Sequence, residues 1–411
     1  MRIVRWPLLL GVGALALTAC SPTPADPPAT TSSADATGVP SSSATAAPSS
    51  EQPSPAPTRE SPSPTPTGQC SLVDALTMEQ QVGQLFMLSV GTDGLGETTA
   101  QAIRDGHIGS VVLLGNSTAG QASISSLVSE VSLLAGADLP ILVAVDQEGG
   151  QVQRLQGAGF SSIPNAQEQG EMTPEELRSA AATWGAELAQ AGVHYNLAPV
   201  ADVVPEDRLS SNAPIGQLRR NFGTDAETTG RAVAAFVEGM QDAGIATSLK
   251  HFPGLGMVAE NTDFDAAVDT ETTASPEDLA SFVAGIDAGA SSVMVSSAIY
   301  EQIDPDNQGV FSEAIITDLL RGELGFDGVV ISDDLGAAGA VSDIPSGDRA
   351  TRFFAAGGDL LINADPSRMA EMTDAVLEKA QADDAFAEQV RDAASRVLLL
   401  KEDANLLECG P

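Results

Sequence analysis

Gly328-Val329-Val330-Ile331-Ser332-Asp333-Asp334 combines a glycine, a short β-branched run and two carboxylates. The glycine can end a preceding helix, and the nearly continuous apolar run predicts a strand of a parallel sheet that is covered on both faces. Similar runs recur from residue 80 onward, separated by longer stretches with helical periodicity. The predicted strands are Phe86–Val90, Ser110–Leu114, Ile141–Val145, Tyr195–Val200, Thr247–His251, Ser292–Ser296, Val329–Ser332 and Asp359–Ile362. Eight strand and helix units predict a single α/β domain, a (β/α)8 TIM barrel, in residues 70–411.

Two helix starts support this alternation. Thr173-Pro174-Glu175-Glu176 has the pattern of a capping box with proline at the first helical position, and Ser275-Pro276-Glu277-Asp278 repeats the pattern. The alternative is an open, doubly wound sheet. It is disfavoured because no Gly-x-Gly-x-x-Gly turn follows the first predicted strand and because eight units exceed its usual number of strands.

Residues 1–19 have the features of a bacterial signal peptide. Arg2 and Arg5 precede the apolar stretch Leu8–Leu17, which is about half of the roughly 20 residues that a bilayer crossing needs. The ending Leu17-Thr18-Ala19-Cys20 resembles a lipobox, which predicts cleavage before Cys20 and a lipid on that cysteine. The alternative is an ordinary secretory signal that contains a cysteine. We therefore expect an extracytoplasmic protein whose only membrane contact is a lipid anchor.

Residues 20–69 are predicted to form a disordered tether. Ser, Thr, Pro and Ala dominate this segment, and residues 21–69 contain no Leu, Ile, Met, Phe, Tyr or Trp. Such a composition cannot bury enough apolar area to offset the entropy of the chain. The many prolines favour extended conformations that would hold the barrel away from the membrane surface.

Charge and cysteine content limit the partners and the compartment. The formal net charge is −37, from 19 basic and 56 acidic residues. This balance repels nucleic acid and anionic lipid headgroups, so neither is an expected partner.

Cys70 and Cys409 flank the predicted barrel, and in an oxidising compartment they are predicted to form a disulfide. Two separate thiols are the alternative.

Several reaction classes are disfavoured by missing motifs. The chain has three histidines, His107, His194 and His251, and no spacing that would place two of them on one metal ion. No Gly-x-Ser-x-Gly elbow and no P-loop are present. We expect neither a metal nor another cofactor.

The polar residues at the predicted strand ends favour sugar chemistry. In a barrel of this kind, active-site side chains lie at the carboxyl ends of the strands. Carboxylates dominate those positions, and a carboxylate can attack an anomeric carbon while a second group protonates the leaving oxygen. The polar residues at these ends are Asp146, Gln147, Glu148, Asp202, Lys250, His251, Ser297, Asp333, Asp334, Asn363 and Asp365.

Four motifs at these positions resemble the successive signatures of glycoside hydrolase family 3. They are Val145-Asp146-Gln147-Glu148-Gly149-Gly150 with Arg154, Arg220-Asn221-Phe222-Gly223, Lys250-His251-Phe252-Pro253-Gly254, and Ile331-Ser332-Asp333-Asp334-Leu335. Their order, and the absence of a second α/β domain, resemble the single-domain β-N-acetylhexosaminidase branch of that family. The resemblance covers residues 72–402.

The resemblance implies that Asp333 is the nucleophile of a retaining double displacement. Asp334 is expected only to orient Asp333 or to cap the next helix, and Glu148 either binds sugar or braces its loop. An internal salt-bridge network below the barrel mouth is the alternative role for the sugar-binding set. The residues to which the resemblance assigns sugar binding are Asp146, Arg154, Arg220, Lys250 and His251.

One loop departs from the family pattern. After Lys-His-Phe-Pro-Gly, much of this branch carries an Asp-Ser-His segment whose His and Asp act as the acid/base pair. Here Asn261 and Asp263 occupy the positions of that Asp and His. We predict that Asp263 is the proton donor, because a carboxyl held near a second carboxylate and away from water can keep a proton near neutral pH. The alternatives are Glu260 or Asp265, or inefficient protonation that favours good leaving groups.

The resemblance and the expected location together predict a monomeric exo-β-N-acetylglucosaminidase that removes terminal N-acetylglucosamine (GlcNAc) from peptidoglycan-derived fragments. A β-glucosidase and a GlcNAc phosphorylase on the same barrel are the alternative enzymes. The alternative from another class is a non-catalytic lipoprotein that binds wall sugars. The altered loop favours such a binder, whereas the intact Ser332-Asp333-Asp334 disfavours it.

Overall fold

The computed structural model describes residues 70–135 and 139–409 of the 411-residue chain. The predicted signal peptide at residues 1–19, the lipidation site Cys20 and the tether at residues 20–69 lie outside the described residues. In the two described ranges, no helix combines the length and the apolar character that a membrane crossing requires.

Eight parallel strands close into a barrel, which confirms the predicted fold class. Strands that follow one another in the chain are neighbours in the barrel, and the first and last strands pair to close it. The strands are β1 Phe86–Gly91, β2 Ser110–Leu114, β3 Leu142–Val145, β4 Tyr195–Asn196, β5 Ala246–Phe252, β6 Ser292–Val295, β7 Val329–Asp334 and β8 Leu360–Asn363.

Helices cover the outside of the barrel and bury its outward-facing residues. The α-helices are α1 Met78–Gln84, α2 Glu97–Asp105, α3 Gln121–Ser132, α4 Ala166–Gly170, α5 Pro174–Gln190, α6 Ala226–Asp242, α7 Ala280–Asp287, α8 Ser346–Ala355, α9 Met369–Ala382 and α10 Asp384–Asp403. A π-helix spans Ala314–Glu323, and short 3-10 helices span Ser71–Ala75, Glu206–Arg208, Gly309–Phe311, Gly339–Val341 and Pro366–Arg368.

One predicted helix start is confirmed and the other is wrong. At α5 the side chain of Thr173 accepts a hydrogen bond from the Glu176 amide, and the Glu176 carboxylate accepts one from the Thr173 amide. At the second site Ser275 Oγ accepts a hydrogen bond from the Asp278 amide at 3.2 Å, as a capping box requires, but the Asp278 carboxylate accepts from the Thr273 amide at 2.9 Å and not from the Ser275 amide. Residues 276–279 therefore form a turn, and α7 begins only at Ala280.

The fourth strand is shorter than predicted. Regular pairing ends at Asn196, because Pro199 has no amide hydrogen to donate to a ladder. The chain nevertheless stays beside β5, since Lys250 donates its amide to Pro199 and Ala201 donates its amide to Lys250. The predicted polar residue after this strand, Asp202, consequently still reaches the carboxyl end of the barrel.

Helix α10 closes the amino end of the barrel. Val397 and Leu400 on this helix, and Ala404 directly after it, join the apolar cluster of the barrel interior. Lys401 lies fully buried in the same helix, and its ammonium donates to Gln84 Oε1 at 2.6 Å and to the Pro140 carbonyl at 2.8 Å. Both acceptors immediately precede strands, so this face is the end of the barrel opposite to the predicted site.

A disulfide joins Cys70 to Cys409, as predicted from the sequence. Both cysteines are buried, and the Cys70 amide donates to Ser395 of α10. The first and last described residues of the domain are thus fastened together beside α10 at the amino end of the barrel.

Short elements surround the opposite, carboxyl end. After β3, Gln147–Gly149 pairs with Val152–Gln153 in a hairpin. A three-stranded sheet of Val268–Asp269, Ile299–Tyr300 and Asp304–Gln308 stands beyond β5 and β6. These elements and the loops between them form the rim of a cavity.

Candidate active site

A cavity of about 300 Å³ opens at the carboxyl ends of the strands. Apolar residues of the barrel interior, including Val112, Leu197, Met294 and Ile362, form part of its lining. Residues from seven of the eight strands, β2 to β8, or from the segments that directly follow them therefore meet around one space. All of the predicted catalytic and sugar-binding residues contribute to the lining: Asp146, Arg154, Arg220, Lys250, His251, Asp263 and Asp333.

Asp333 lies at the end of β7. Its Oδ1 accepts a hydrogen bond from the Asp334 amide at 2.8 Å, and no donor among the described residues reaches its Oδ2. Burial raises the pKa of Asp333 to about 6, the charge of His251 opposes this rise, and the charge of Asp263 adds to it. Asp333 is therefore mostly ionised at neutral pH and has one carboxylate oxygen free to react.

Asp334 is used differently, although it also lines the cavity. Its carboxylate accepts hydrogen bonds from the amides of Gly336, Ala337 and Ala364 at 2.8 to 3.0 Å. Burial raises its pKa against the effect of these amides. The side chain ties the end of β7 to the segment after β8, which agrees with the predicted orienting role.

Two cations and two carboxylates form a charge cluster at one side of the cavity. Lys250 Nζ lies 2.6 Å from Asp146 Oδ1 and 2.7 Å from Glu148 Oε1. Both Arg220 Nε and Nη2 donate to Glu148, at 2.9 and 2.8 Å. The predicted sugar-binding residues and the predicted salt-bridge network therefore overlap, because Asp146, Lys250 and Arg220 also line the cavity, whereas Glu148 does not.

The members of this charge cluster differ in burial and in the direction of their pKa shifts, and therefore in their expected roles. Burial alone would raise the pKa of Glu148, but Arg220 and Lys250 hold it well below its usual range. Burial likewise would lower the pKa of Lys250, but Asp146 and Glu148 raise it. The Lys250 side chain is only 2% exposed, whereas Asp146 keeps 18%. Asp146 is thus the member that can accept a hydrogen bond from a ligand, and Lys250 and Glu148 hold it in place.

His251 is positioned by a residue to which the sequence analysis gave no role. Asp202, fully buried, accepts from the His251 ring at Nδ1, 2.8 Å away, and from the backbone amides of His251 and Leu255. Because Nδ1 is occupied, Nε2 is the imidazole nitrogen left for a ligand. Asp202 is one of the polar residues at the predicted strand ends, and this position is the sequence feature that could have indicated its role.

Arg154 differs from the other cations of the cavity. Its Nη1 donates to Asn116 Oδ1 at 3.1 Å. Its Nε is buried and has no hydrogen-bond partner, and no carboxylate among the described residues forms a salt bridge with it. Arg154 consequently retains donors that a ligand could use.

The loop that departs from the family pattern is firmly attached at its base. Asn212 Nδ2 donates to the carbonyls of Leu255, Gly256 and Val258 at 2.7 to 3.2 Å. A side chain at residue 256 would collide with the Val203 carbonyl, since an added Cβ would lie 1.7 Å from that oxygen. Asn212 lies outside every motif, and no sequence signal indicated this role.

Asp263 lies at the mouth of the cavity on this loop. Its proximity to a second carboxylate was predicted correctly, since its charge contributes to the raised pKa of Asp333. The prediction that it is held away from water was wrong, because Asp263 is exposed. The contact that positions Asp263 is made by its backbone: the Asp263 carbonyl accepts from the Gly339 amide, and the side chain is left exposed to solvent. Glu260 and Asp265, the alternative donors, are exposed and do not line the cavity.

Within residues 70–135 and 139–409, no group of three or more His, Cys, Asp or Glu side chains is arranged to hold a metal ion. Carboxylates, the groups paired with them and Arg154 are the ionisable side chains that line the cavity. A closed (β/α)8 barrel that carries one carboxylate with an unbonded oxygen at the end of β7, and a second carboxylate lining the same cavity from the loop after β5, has the arrangement of a glycoside hydrolase.

Comparison with known proteins identifies the family. The family model for the N-terminal domain of glycosyl hydrolase family 3 matches residues 77–400. The chain belongs to glycosyl hydrolase family 3, and it acts on O-glycosyl bonds. A β-hexosaminidase of Stenotrophomonas maltophilia (strain K279a) is 36% identical over 302 residues, which cover 71% of this chain and 87% of the relative. A β-hexosaminidase of Xanthomonas euvesicatoria pv. vesicatoria (strain 85-10) is 35% identical with the same coverage.

Solved structures show the same relationship. A β-N-acetylhexosaminidase from Beutenbergia cavernae DSM 12333 is 49% identical, with a TM-score of 0.78, and the match covers 80% of this chain and 99% of that chain. A family 3 β-N-acetylglucosaminidase from Paenibacillus sp. str. FPU-7 is 29% identical, with a TM-score of 0.73, over 80% of this chain and 63% of that chain.

Proposed function

We propose that the protein is a retaining exo-β-N-acetylglucosaminidase whose nucleophile is Asp333. The observation that carries the proposal is the pairing of Asp333, with its free Oδ2, and Asp263 across the cavity mouth. The specificity for N-acetylhexosamine is supported by the names of the similar proteins, of which one solved structure is 49% identical.

In the first step, Asp333 Oδ2 attacks C1 of the terminal sugar while the bond from C1 to the leaving oxygen breaks. Asp263 gives its proton to that oxygen, and a glycosyl ester of Asp333 remains. In the second step, water attacks C1, Asp263 takes a proton from the water, and the ester bond breaks. Two inversions at C1 give net retention, and both carboxyl groups return to their initial states.

The remaining polar side chains are proposed to hold the terminal sugar. Asp146 accepts from a hydroxyl, and Arg154 and the Nε2 side of His251 face the same space. Arg220 and Lys250 contribute mainly by fixing the carboxylates beside them.

The cavity shape supports cleavage from a chain end. Its volume of about 300 Å³ is at the low end of the ~300–1,000 Å³ range of small-molecule pockets. The barrel interior closes it from below, so a sugar chain cannot pass through. One terminal residue is the ligand that fits this space.

We further propose that the protein is anchored outside the cytoplasmic membrane through a lipid on Cys20, acts as a monomer, and receives GlcNAc-terminated peptidoglycan fragments. The ending Leu17-Thr18-Ala19-Cys20, which resembles a lipobox, supports the anchor. The monomer is supported by the fact that one chain supplies every proposed site residue.

The test is turnover of 4-nitrophenyl N-acetyl-β-glucosaminide by the wild type and by Asp333→Ala. We expect the variant to lose nearly all activity and a 2-fluoro or 5-fluoro sugar to label Asp333 in the wild type. Sugar binding without turnover or labelling would instead support a non-catalytic binder. Faster cleavage of the corresponding glucoside would instead support a β-glucosidase. Product formation that depends on phosphate would support a phosphorylase.

A further inference from the structure

The segment that follows Asp263 exposes apolar side chains beside the cavity. Among the described residues, three large apolar side chains are exposed: Leu133 at 84%, Phe264 at 81% and Val268 at 43%. Two of these lie within five residues of each other, directly after the proposed proton donor. The Phe264 ring, unlike Leu133, follows the proposed proton donor directly in the chain, and its exposed surface is available to a ligand at the rim of the cavity.

The Phe264 ring is exposed on a backbone that is held in place. The Phe264 amide donates to the Asn261 carbonyl at 3.0 Å, and the Gly339 amide donates to the Asp263 carbonyl at 2.9 Å. Gly339 packs so closely that an added Cβ would lie 2.3 Å from the Phe264 carbonyl oxygen. The side chain therefore projects from a fixed rim and does not belong to a loose loop end.

The chemistry of glycoside cleavage places a second sugar near this ring. The proton donor has to reach the leaving oxygen at about 3 Å, and that oxygen belongs to the leaving sugar. Consecutive Cα atoms are about 3.8 Å apart, so the residue after Asp263 stands next to the leaving group. Phe264 is exposed and is not among the residues that line the cavity for the terminal sugar, so its ring is available to a group that extends out of that cavity.

We propose that Phe264, extended by Val268, is a platform for the leaving-group sugar of the substrate, and so determines the preference for disaccharide ends over small leaving groups. This inference rests on the proposed function of the neighbouring cavity. The occupant is a pyranose ring, whose C–H face can lie against an aromatic ring while its hydroxyls remain in water.

The kinetic test compares two substrates that share the terminal sugar and the type of bond. They are N,N′-diacetylchitobiose and methyl N-acetyl-β-glucosaminide. In Phe264→Ala we expect kcat/KM for the disaccharide to fall about tenfold, mostly through KM, and kcat/KM for the methyl glycoside to change less than about twofold. Phe264→Trp should retain the disaccharide rate. Leu133→Ala is the matched control, since it removes an equally exposed apolar side chain far from the cavity.

A binding measurement makes the result independent of turnover. In Asp333→Asn, we expect the disaccharide to bind more tightly than free GlcNAc, and we expect Phe264→Ala in that background to remove the difference. An unchanged difference overturns the platform. If the wild type cleaves neither substrate but the binding result is as expected, the proposed function fails and the platform stands.

Discussion

Asp202 accepts three hydrogen bonds from the segment that begins with His251: one from the imidazole Nδ1 at 2.8 Å, and two from the backbone amides of His251 and Leu255. One buried carboxylate thus sets both the orientation of the ring and the path of the loop that carries Asp263. The ring and the loop are expected to respond together when this carboxylate changes.

Asp202→Ala should lower both stability and activity. The change leaves three buried donors without an acceptor, and a single unsatisfied buried group costs about 1 to 3 kcal/mol. Asp202→Asn keeps an oxygen for the amides but presents a donor to the imidazole, so we expect a smaller loss of stability with a comparable loss of kcat/KM. Urea unfolding and steady-state kinetics check both variants. Equal kinetics for Asp202→Asn and wild type would show that the orientation of His251 is unimportant.

Asp263→Asn should affect poor leaving groups more than good ones. A proton donor contributes about 10²- to 10⁴-fold when the leaving oxygen needs protonation, and little when the leaving group is an activated phenol. We therefore expect a large decrease in kcat/KM for N,N′-diacetylchitobiose. For a dinitrophenyl glycoside we expect only a small decrease in the rate of the first step, in which the glycosyl-enzyme forms. Glu260→Gln and Asp265→Asn are matched controls on the same loop. Equal losses on both substrates, or none, would remove Asp263 from the role of acid.

The acid limb of the activity profile should reflect Asp333. Its pKa is raised to about 6, and attack requires the ionised form, so kcat/KM should rise with pH through about 6. Asp263 contributes to the rise in pKa, so Asp263→Asn should move this limb to lower pH. The wild type and variant profiles with an activated aryl substrate test this. A limb that stays in place would show that Asp263 does not act on Asp333.

The same raised pKa predicts a gain of stability when the nucleophile is neutralised. In the unfolded chain the carboxyl ionises near 3.8, and in the folded chain near 6, so the folded state binds the proton more tightly. Ionisation of Asp333 therefore lowers stability as pH rises from about 4 to 6. Asp333→Asn should unfold at a higher denaturant concentration than the wild type at pH 7. The two should converge near pH 4, which urea unfolding can measure.

Lys401 should make stability depend on pH at the alkaline side. Burial lowers its pKa to about 7 from an ordinary value of 10.5. Between these values the unfolded state binds more protons, so stability should rise with pH from about 7 to 10.5 and the contribution should be lost as pH falls. Lys401→Met keeps the volume similar and removes this slope. If the slope is the same in wild type and variant, the amine is not responsible.

Removing the disulfide should lower stability and leave chemistry intact. Cys70 and Cys409 lie at the amino end of the barrel, opposite to the cavity. Loss of a native disulfide costs about 2 to 5 kcal/mol, so the double variant Cys70→Ser with Cys409→Ser should unfold earlier but retain kcat at 25 °C. Reduction of the wild type should have the same effect. A large loss of kcat in the folded variant would indicate coupling between the two ends of the barrel.

Local signals made much of the fold predictable. Short apolar runs separated by amphipathic stretches give parallel strands with helical crossovers, and closure into a barrel follows from their number. Where a local signal competed with a longer-range contact, the prediction failed. Ser275 accepts a bond from the Asp278 amide, but the Asp278 carboxylate bonds to Thr273 and the helix starts only at Ala280. The Asp263 backbone is bonded to the distant residue 339, and its side chain is exposed.

The candidate site was predicted residue by residue but not in its internal contacts. Motifs at strand ends identify Asp146, Lys250 and Asp333, since all strand ends of a barrel meet at one face. They do not show that Lys250 and Arg220 share Glu148 between them. They give no indication of Asn212, which lies in none of the motifs and still fixes the loop of the proposed acid.

The sequence by itself determined which side chains reach the carboxyl end of the barrel, because the pattern and the ends of each strand can be recognised from a few consecutive residues. Only the tertiary structure decided which of those charges neutralise one another and which stay free. Pairing depends on distances of about 3 Å between residues as far apart as Asp146 and Lys250, and electrostatic energy at that range changes steeply with position. Asp333 keeps a free Oδ2 because no donor among the described residues lies within hydrogen-bonding distance of that oxygen.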